Sequence, residues 1–221
     1  MGSLILPDQY EYDKNGFIKQ YKHEKFKYTV EYKARQGTNV EMSYLRLGWI
    51  SSFFRYNEMK KMNVVDVGCG NGVFVKCCSD KFKRIVGYDV AGESIGDSEF
   101  YGTDWDLVVL SDVLEHFEDV ENLFKIKWKY CFLSFPETPE VGSFEGLMKW
   151  RHFKPNEHLY YLTAMKTKRW LESHPGVKVI GVSNLEDLIR KRWDDGKTNI
   201  SSIMVKRKLH EERTVCNNTV S

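Results

Sequence analysis

The stretch Val64-Val65-Asp66-Val67-Gly68-Cys69-Gly70-Asn71-Gly72 narrows the possible folds more than any other part of the chain. A β-branched run reaches an acid and then alternating glycines. Such a segment leaves a strand, turns sharply and passes close to a ligand, because glycine reaches positive φ and has no Cβ to shield backbone N–H groups. A helical pattern follows over 73–81, and a second strand, Arg84 to Asp89, ends in an acid 23 residues after Asp66. An acid in that position can accept hydrogen bonds from both hydroxyls of a ribose.

The rest of the chain continues the alternation. Asp106–Leu110, Tyr130–Phe135, Val177–Ser183 and Ile200–Arg207 read as strands. Leu45, Trp49, Ile50, Phe53 and Phe54 recur at helical spacing between Met42 and Tyr56. A further helix is expected to open at Asp112 and run, with a break, to about Lys129, and another over Leu159–Ser173, stopped by Pro175-Gly176. Strands alternating with helices predict an α/β fold, a doubly wound and mainly parallel sheet. Ligands then bind outside the carboxyl ends of the strands, at the switch point.

Composition limits the function classes. With 221 residues, one α/β domain with modest additions fits and two full cores do not. No apolar run reaches the roughly 18 residues of a membrane span, and Leu4-Ile5-Leu6 is too short for a secretory signal. Five cysteines without a C-x-x-C pair argue against a disulfide framework or zinc ribbon and for a reducing, cytoplasmic setting. A net charge of +2 does not by itself support nucleic-acid binding, and nucleic acid is not the expected partner. Residues 1–41 mix tyrosines with lysines, but Glu11, Asp13, Glu24 and Glu31 dilute the charge. They read as an aromatic and basic cover segment.

The order D-x-G-x-G-x-G differs from the G-x-G-x-x-G of dinucleotide folds and resembles the class I S-adenosylmethionine-dependent methyltransferases, over roughly Met42 to Arg207. The resemblance implies a Rossmann-like sheet with one antiparallel strand near the C-terminus and S-adenosyl-L-methionine as cofactor. It further implies that Asp66, Gly68, Cys69, Gly70 and Gly72 wrap the amino-acid end of the cofactor, that Asp89 and Val90 meet its ribose side, and that Ser111 and Asp112 close over it. One departure stands out. Only 16 residues separate Asp89 from Asp106, where the family places a helix and a strand. The helix is then expected to be missing and the third strand reduced, and Tyr88, Val90 and Phe100 are left as adenine contacts. The domain organisation expected is the cover segment 1–41, a methyltransferase domain over 42–209 with a lid at about 137–160, and a disordered polar tail over 210–221.

Transfer to a hydroxyl needs a base. His116, after the Asp106–Leu110 strand, and His152 and His158, in the lid, are the candidates. Asp112 and Glu115 fit a D-x-x-E capping box, and Glu115 is also a candidate for touching the acceptor. The lid sequence Lys149-Trp150-Arg151-His152-Phe153-Lys154-Pro155-Asn156-Glu157-His158-Leu159-Tyr160-Tyr161 offers aromatic faces and hydrogen-bonding tips. These suit a polyhydroxylated acceptor, with Trp150, Arg151 and Tyr160 as contacts. The stretch resembles small methyltransferases of bacterial or large-virus glycan-building gene clusters. No metal is expected, since H-x4-E-H is not a known ligand motif and H-E-x-x-H is absent. The leading expectation is an O-methyltransferase acting on a sugar hydroxyl, free, nucleotide-linked or glycan-borne. The alternatives are a nucleic-acid or protein methyltransferase and a non-catalytic cofactor-binding module.

Overall fold

A computed structural model describes residues 4–27, 39–90, 94–190 and 198–208. Residues 210–221, expected to form a tail, lie outside the described residues, as do Tyr28 and Tyr32 of the cover segment.

A six-stranded sheet carries the fold. Its strands are β3 (Asn63–Val67), β4 (Arg84–Tyr88), β5 (Trp105–Ser111), β6 (Trp128–Pro136), β8 (Val177–Ser183) and β9 (Ile200–Arg207), in the order β4-β3-β5-β6-β9-β8. The first four are mutually parallel, and β9 runs antiparallel to both neighbours. This is the α/β sheet expected, with its one reversed strand near the C-terminus. Among the described residues β4 forms the edge. Contrary to expectation, the short connection after Asp89 keeps a helix, α4 (Asp97–Gly102), and among its described residues no further strand forms.

Period-two alternation distributes the core to both faces of the sheet. Val65, Val67, Val108, Leu110, Cys131, Leu133, Ile203 and Val205 pack with Phe100, Leu114 and α6 (Ala164–Glu172). Val64, Leu107, Val109, Phe132 and Met204 pack with α1 (Val40–Ser51), α2 (Tyr56–Met59) and α3 (Val73–Cys78). Asp66 interrupts the second series and is buried with it. At the amino ends of β5 and β6, Trp105 and Trp128 face each other in register. Their indole N–H groups donate to the Phe100 and Leu123 carbonyls at 2.9 and 3.0 Å. Both rings are therefore buried without an unsatisfied donor.

Two helices differ from expectation. No α-helix opens at Asp112. The chain there takes two 3-10 turns, Leu114–His116 and Val120–Lys125. Asp112 has φ +55°, in the left-handed region, and cannot act as an N-cap, whose backbone is extended. The expected capping box is lost to long-range ion pairs described below. Similarly, Leu159–Leu162 is not helical. Tyr160–Tyr161 is strand β7, and α6 begins only after Thr163, whose hydroxyl caps Lys166 N–H at 3.3 Å.

Within residues 4–27, the described part of the expected cover segment, the chain forms a hairpin. Strands β1 (Tyr10–Tyr12) and β2 (Ile18–Gln20) pair antiparallel, and β2 pairs with β7 of the lid. Asp13 Oδ1 accepts from Asn15 and Phe17 N–H, both at 2.9 Å, and holds the turn. Buried Gln20 clasps the lid from below: its Oε1 accepts Asn156 N–H at 2.8 Å and its Nε2 donates to Asn156 Oδ1 at 3.0 Å. Tyr10, Ile18, Phe144, Leu147, Trp150 and Tyr161 fill a small separate core between hairpin and lid.

Candidate active site

The carboxyl ends of β3, β4 and β5, together with the lid, enclose a cavity of about 760 Å³. That volume lies within the range of small-molecule sites. The sheet order places it at the switch point, since β3 is flanked by β4 on one side and β5 on the other.

The glycine loop forms one wall. Gly68 N–H donates to the Tyr88 carbonyl at 2.7 Å, and Gly70 N–H donates to Asp89 Oδ2 at 3.0 Å. Gly68 and Gly72 adopt φ +67° and +70°. A Cβ on Gly68 would lie 2.5 Å from Val113 Cγ2, so the loop also presses against the chain leaving β5. Beyond Asp89 the wall is aromatic. Tyr88 stacks on Phe100 with ring centroids 3.8 Å apart and planes at 8°, and Val90 and Tyr101 complete that end.

The opposite end is polar and buried. Asp112 accepts from both terminal nitrogens of Arg190, at 3.0 Å to Nη1, and lies 3.5 Å from Arg46 Nη2. Arg46 is 1% exposed and pairs with fully buried Glu186 at 2.7 and 2.8 Å. Burial pushes the Asp112 carboxyl up, but the Arg190 and Arg46 charges outweigh it and hold Asp112 far below the usual carboxylate range. Glu115 is the converse case. Burial, reinforced by the Asp112 charge, pushes its carboxyl well above the usual range. Two carboxyls three residues apart are thus driven in opposite directions, Asp112 by its cationic partners and Glu115 chiefly by burial.

The lid lies on this end through the backbone. Leu159 N–H donates to the Glu115 carbonyl at 2.8 Å. His116 Nδ1 lies 2.8 Å from the Glu157 carbonyl, so Nδ1 bears the proton and Nε2 the lone pair. His158 stands edge-on to His116 with centroids 4.8 Å apart. His152 Nε2 meets Asn199 Oδ1 at 2.8 Å. Burial lowers the pKa of all three histidines, that of His152 to about 4, so each is a neutral imidazole near pH 7.

Of the residues picked out by sequence, Gly68, Cys69, Gly70, Asp89, Val90, Ser111, Asp112, Glu115, His116, Arg151, His152 and His158 line one cavity. Four stand apart from its lining. Asp66 is buried beneath the loop, and Gly72 caps α3. Trp150 fills the hairpin–lid core, and Tyr160 packs edge-on against Phe17 with Lys19 over its ring. The sequence reading missed Arg46, Glu186, Arg190 and Lys154, and weighed Glu157 only as a cap or metal ligand. Only the i,i+4 spacing of Glu186 and Arg190, and a single arginine inside the apolar pattern of α1, hinted at them.

The family profile described as "Methyltransferase domain" matches residues 43–174, more than half of the chain. The chain belongs to the methyltransferase-domain family. It is an S-adenosylmethionine-dependent methyltransferase. No curated protein matches its sequence. Among solved structures, an S-adenosylmethionine-dependent methyltransferase from Clostridium acetobutylicum is 12% identical with a TM-score of 0.53, covering 80% of this chain and 95% of that one. A SAM-dependent methyltransferase from Archaeoglobus fulgidus is 19% identical with a TM-score of 0.51, covering 82% and 100%. The plantazolicin methyltransferase BpumL, solved with SAH, is 13% identical with a TM-score of 0.50, covering 80% and 88%. At these identities the likeness extends to the fold. Among the described residues of this methyltransferase, no helix is long and apolar enough to cross a membrane.

Proposed function

We propose that this methyltransferase transfers a methyl group to a hydroxyl of a sugar, free, nucleotide-linked or glycan-borne, in the cytoplasm. One observation carries the reading: three histidines kept neutral share the wall of a cavity whose other end is a glycine loop. A hydroxyl must lose a proton on methylation, and a neutral imidazole in the cavity can take it.

S-adenosylmethionine supplies an electrophilic methyl carbon on a sulfonium. Asp89 receives the ribose hydroxyls while its carboxylate orders the Gly70 amide. Tyr88, Val90 and Phe100 offer a flat apolar surface to the adenine. Asp66, Gly72, Ser111 and Asp112 support the loop and the strand end that close on the amino-acid side. Arg151 and Glu115 face the acceptor. In the displacement, the acceptor oxygen bonds to the methyl carbon, the C–S electron pair stays on sulfur, and the hydroxyl proton passes to a histidine. The lid keeps water from competing.

Methyl-labelled cofactor offered to separate sugar, glycan, nucleic-acid and protein fractions tests the proposal. Label in the sugar or glycan fraction is expected, with alkali-stable linkage as for an ether. Label confined to nucleic acid or protein overturns it. Asp89→Ala is expected to weaken cofactor binding by about 10- to 100-fold in calorimetry, the loss of charged hydrogen bonds. Unchanged affinity would remove Asp89 from the ribose site.

A further inference from the structure

We propose that Glu115, His116 and His158 form a divalent-cation site at the acceptor end of the cavity. One ligand atom from each lies within 4.8 Å of the others. Glu115 Oε1 is 4.0 Å from His116 Nε2. Sequence alone assigns no metal here, because His158 follows His116 by 42 positions. The Leu159–Glu115 backbone bond brings the lid onto the 3-10 turn and sets the three side by side.

The independent pointer is Glu115 itself. Its side chain is 2% exposed, and neither carboxylate oxygen makes a well-formed hydrogen bond among the described residues. Buried polar groups are almost always satisfied, and a buried carboxylate is costly without a partner. The neighbouring charges are already engaged. Arg46 and Arg190 hold Asp112 and Glu186, and Lys154 Nζ holds Glu157 Oε1 at 3.0 Å. A cation seated between the two imidazoles and Glu115 gives both buried carboxyl oxygens the partner they otherwise lack among the described residues.

The surroundings resemble those of a metal ligand. His116 donates Nδ1–H to a backbone carbonyl, the outer contact that fixes a ligating imidazole with Nε2 inward. Ion–ligand bonds of about 2.1 Å put neighbouring ligand atoms about 3 Å apart, so side-chain torsions of Glu115 and His158 must close one to two ångströms. Two imidazoles and one carboxylate favour manganese, iron, cobalt or zinc over calcium or magnesium. Three protein ligands leave positions open to acceptor oxygens, which lowers the acceptor hydroxyl's pKa and fixes its direction. His152, outside the ligand set, is then the histidine that takes the proton. The ion's role in turnover rests on the hydroxyl acceptor proposed above; its binding does not.

The test is titration of the EDTA-treated full chain with Co²⁺ alone, followed by visible absorption and calorimetry, with no methyl donor present. One equivalent is expected, with ligand-field bands. Glu115→Gln and His158→Gln are each expected to weaken binding by about 100-fold or more, beyond the loss typical of an outer-shell partner. Circular dichroism checks the fold of both variants. No binding by the parent chain up to about 1 mM Co²⁺ overturns the site. Binding that both folded variants retain at full strength also overturns it, since the ion then sits elsewhere. Calorimetry of S-adenosylmethionine in EDTA and the labelled-acceptor panel are read separately. A failed metal site therefore leaves the sugar reading standing, and a failed sugar reading leaves ion binding measurable.

Discussion

At the scale of single residues, identical chemical groups are made different by what surrounds them. Asp66 and Asp112 are both acids at the ends of parallel strands, and both lie near Arg46. Arg190 and Arg46 grip Asp112. Burial dominates at Asp66 and pushes its carboxyl up to about 7, with Arg46 offsetting part of that and Asp89 adding to it. Between about pH 4 and pH 7 the folded protein therefore keeps a proton that the unfolded chain has released. Stability falls as pH rises through that window, by at most about 4 kcal/mol. Asp66→Asn removes this dependence, so its melting temperature should fall less than that of the parent between about pH 5 and pH 8. Parallel curves would mean that Asp66 is ionised throughout.

At the scale of elements, the glycine loop makes a graded prediction. Gly68 and Gly72 share a left-handed backbone, but only Gly68 is crowded. Gly72→Ala should cost about 1–2 kcal/mol, the left-handed penalty alone. Gly68→Ala should add about 1–3 kcal/mol of overpacking against Val113. Val113→Ala should recover that added part and not the first, as read from urea midpoints. Equal losses at both glycines would mean that Val113 yields without cost. This loop was legible in the sequence because its determinants are local: β-branched residues, an acid, and glycines at fixed offsets. The sheet strands were legible for the same reason. The hairpin β1–β2 carried a local signal too, Asn15-Gly16 between alternating residues, but the lysine and tyrosine content obscured it. The Asp112–Glu115 capping box had the opposite fate. Its local pattern was sound, yet Arg46 and Arg190, 66 and 78 positions away, took the aspartate. No short-range pattern encodes a partner at that distance. That is why much of the cavity wall was named in advance while its ion-pair network was not. Trp150 likewise reads as a contact residue by type but is placed by packing in the hairpin–lid core.

At the scale of the whole molecule, the lid belongs to two bodies at once. Its backbone rests on Glu115, while β7 and Asn156 are held by the N-terminal hairpin. Gln20→Ala removes the clasp and leaves Asn156 N–H without that acceptor, a loss of about 1–3 kcal/mol. Amide exchange over 154–159 should quicken, while exchange in β3 and β5 stays at the parent rate. Uniform quickening would mean that the hairpin and the main sheet open together. The three-stranded sheet also gives the enzyme a lever outside its pocket. Because β7 pairs with β2, whatever loosens the hairpin reaches the roof of the pocket without touching the glycine loop on its far wall.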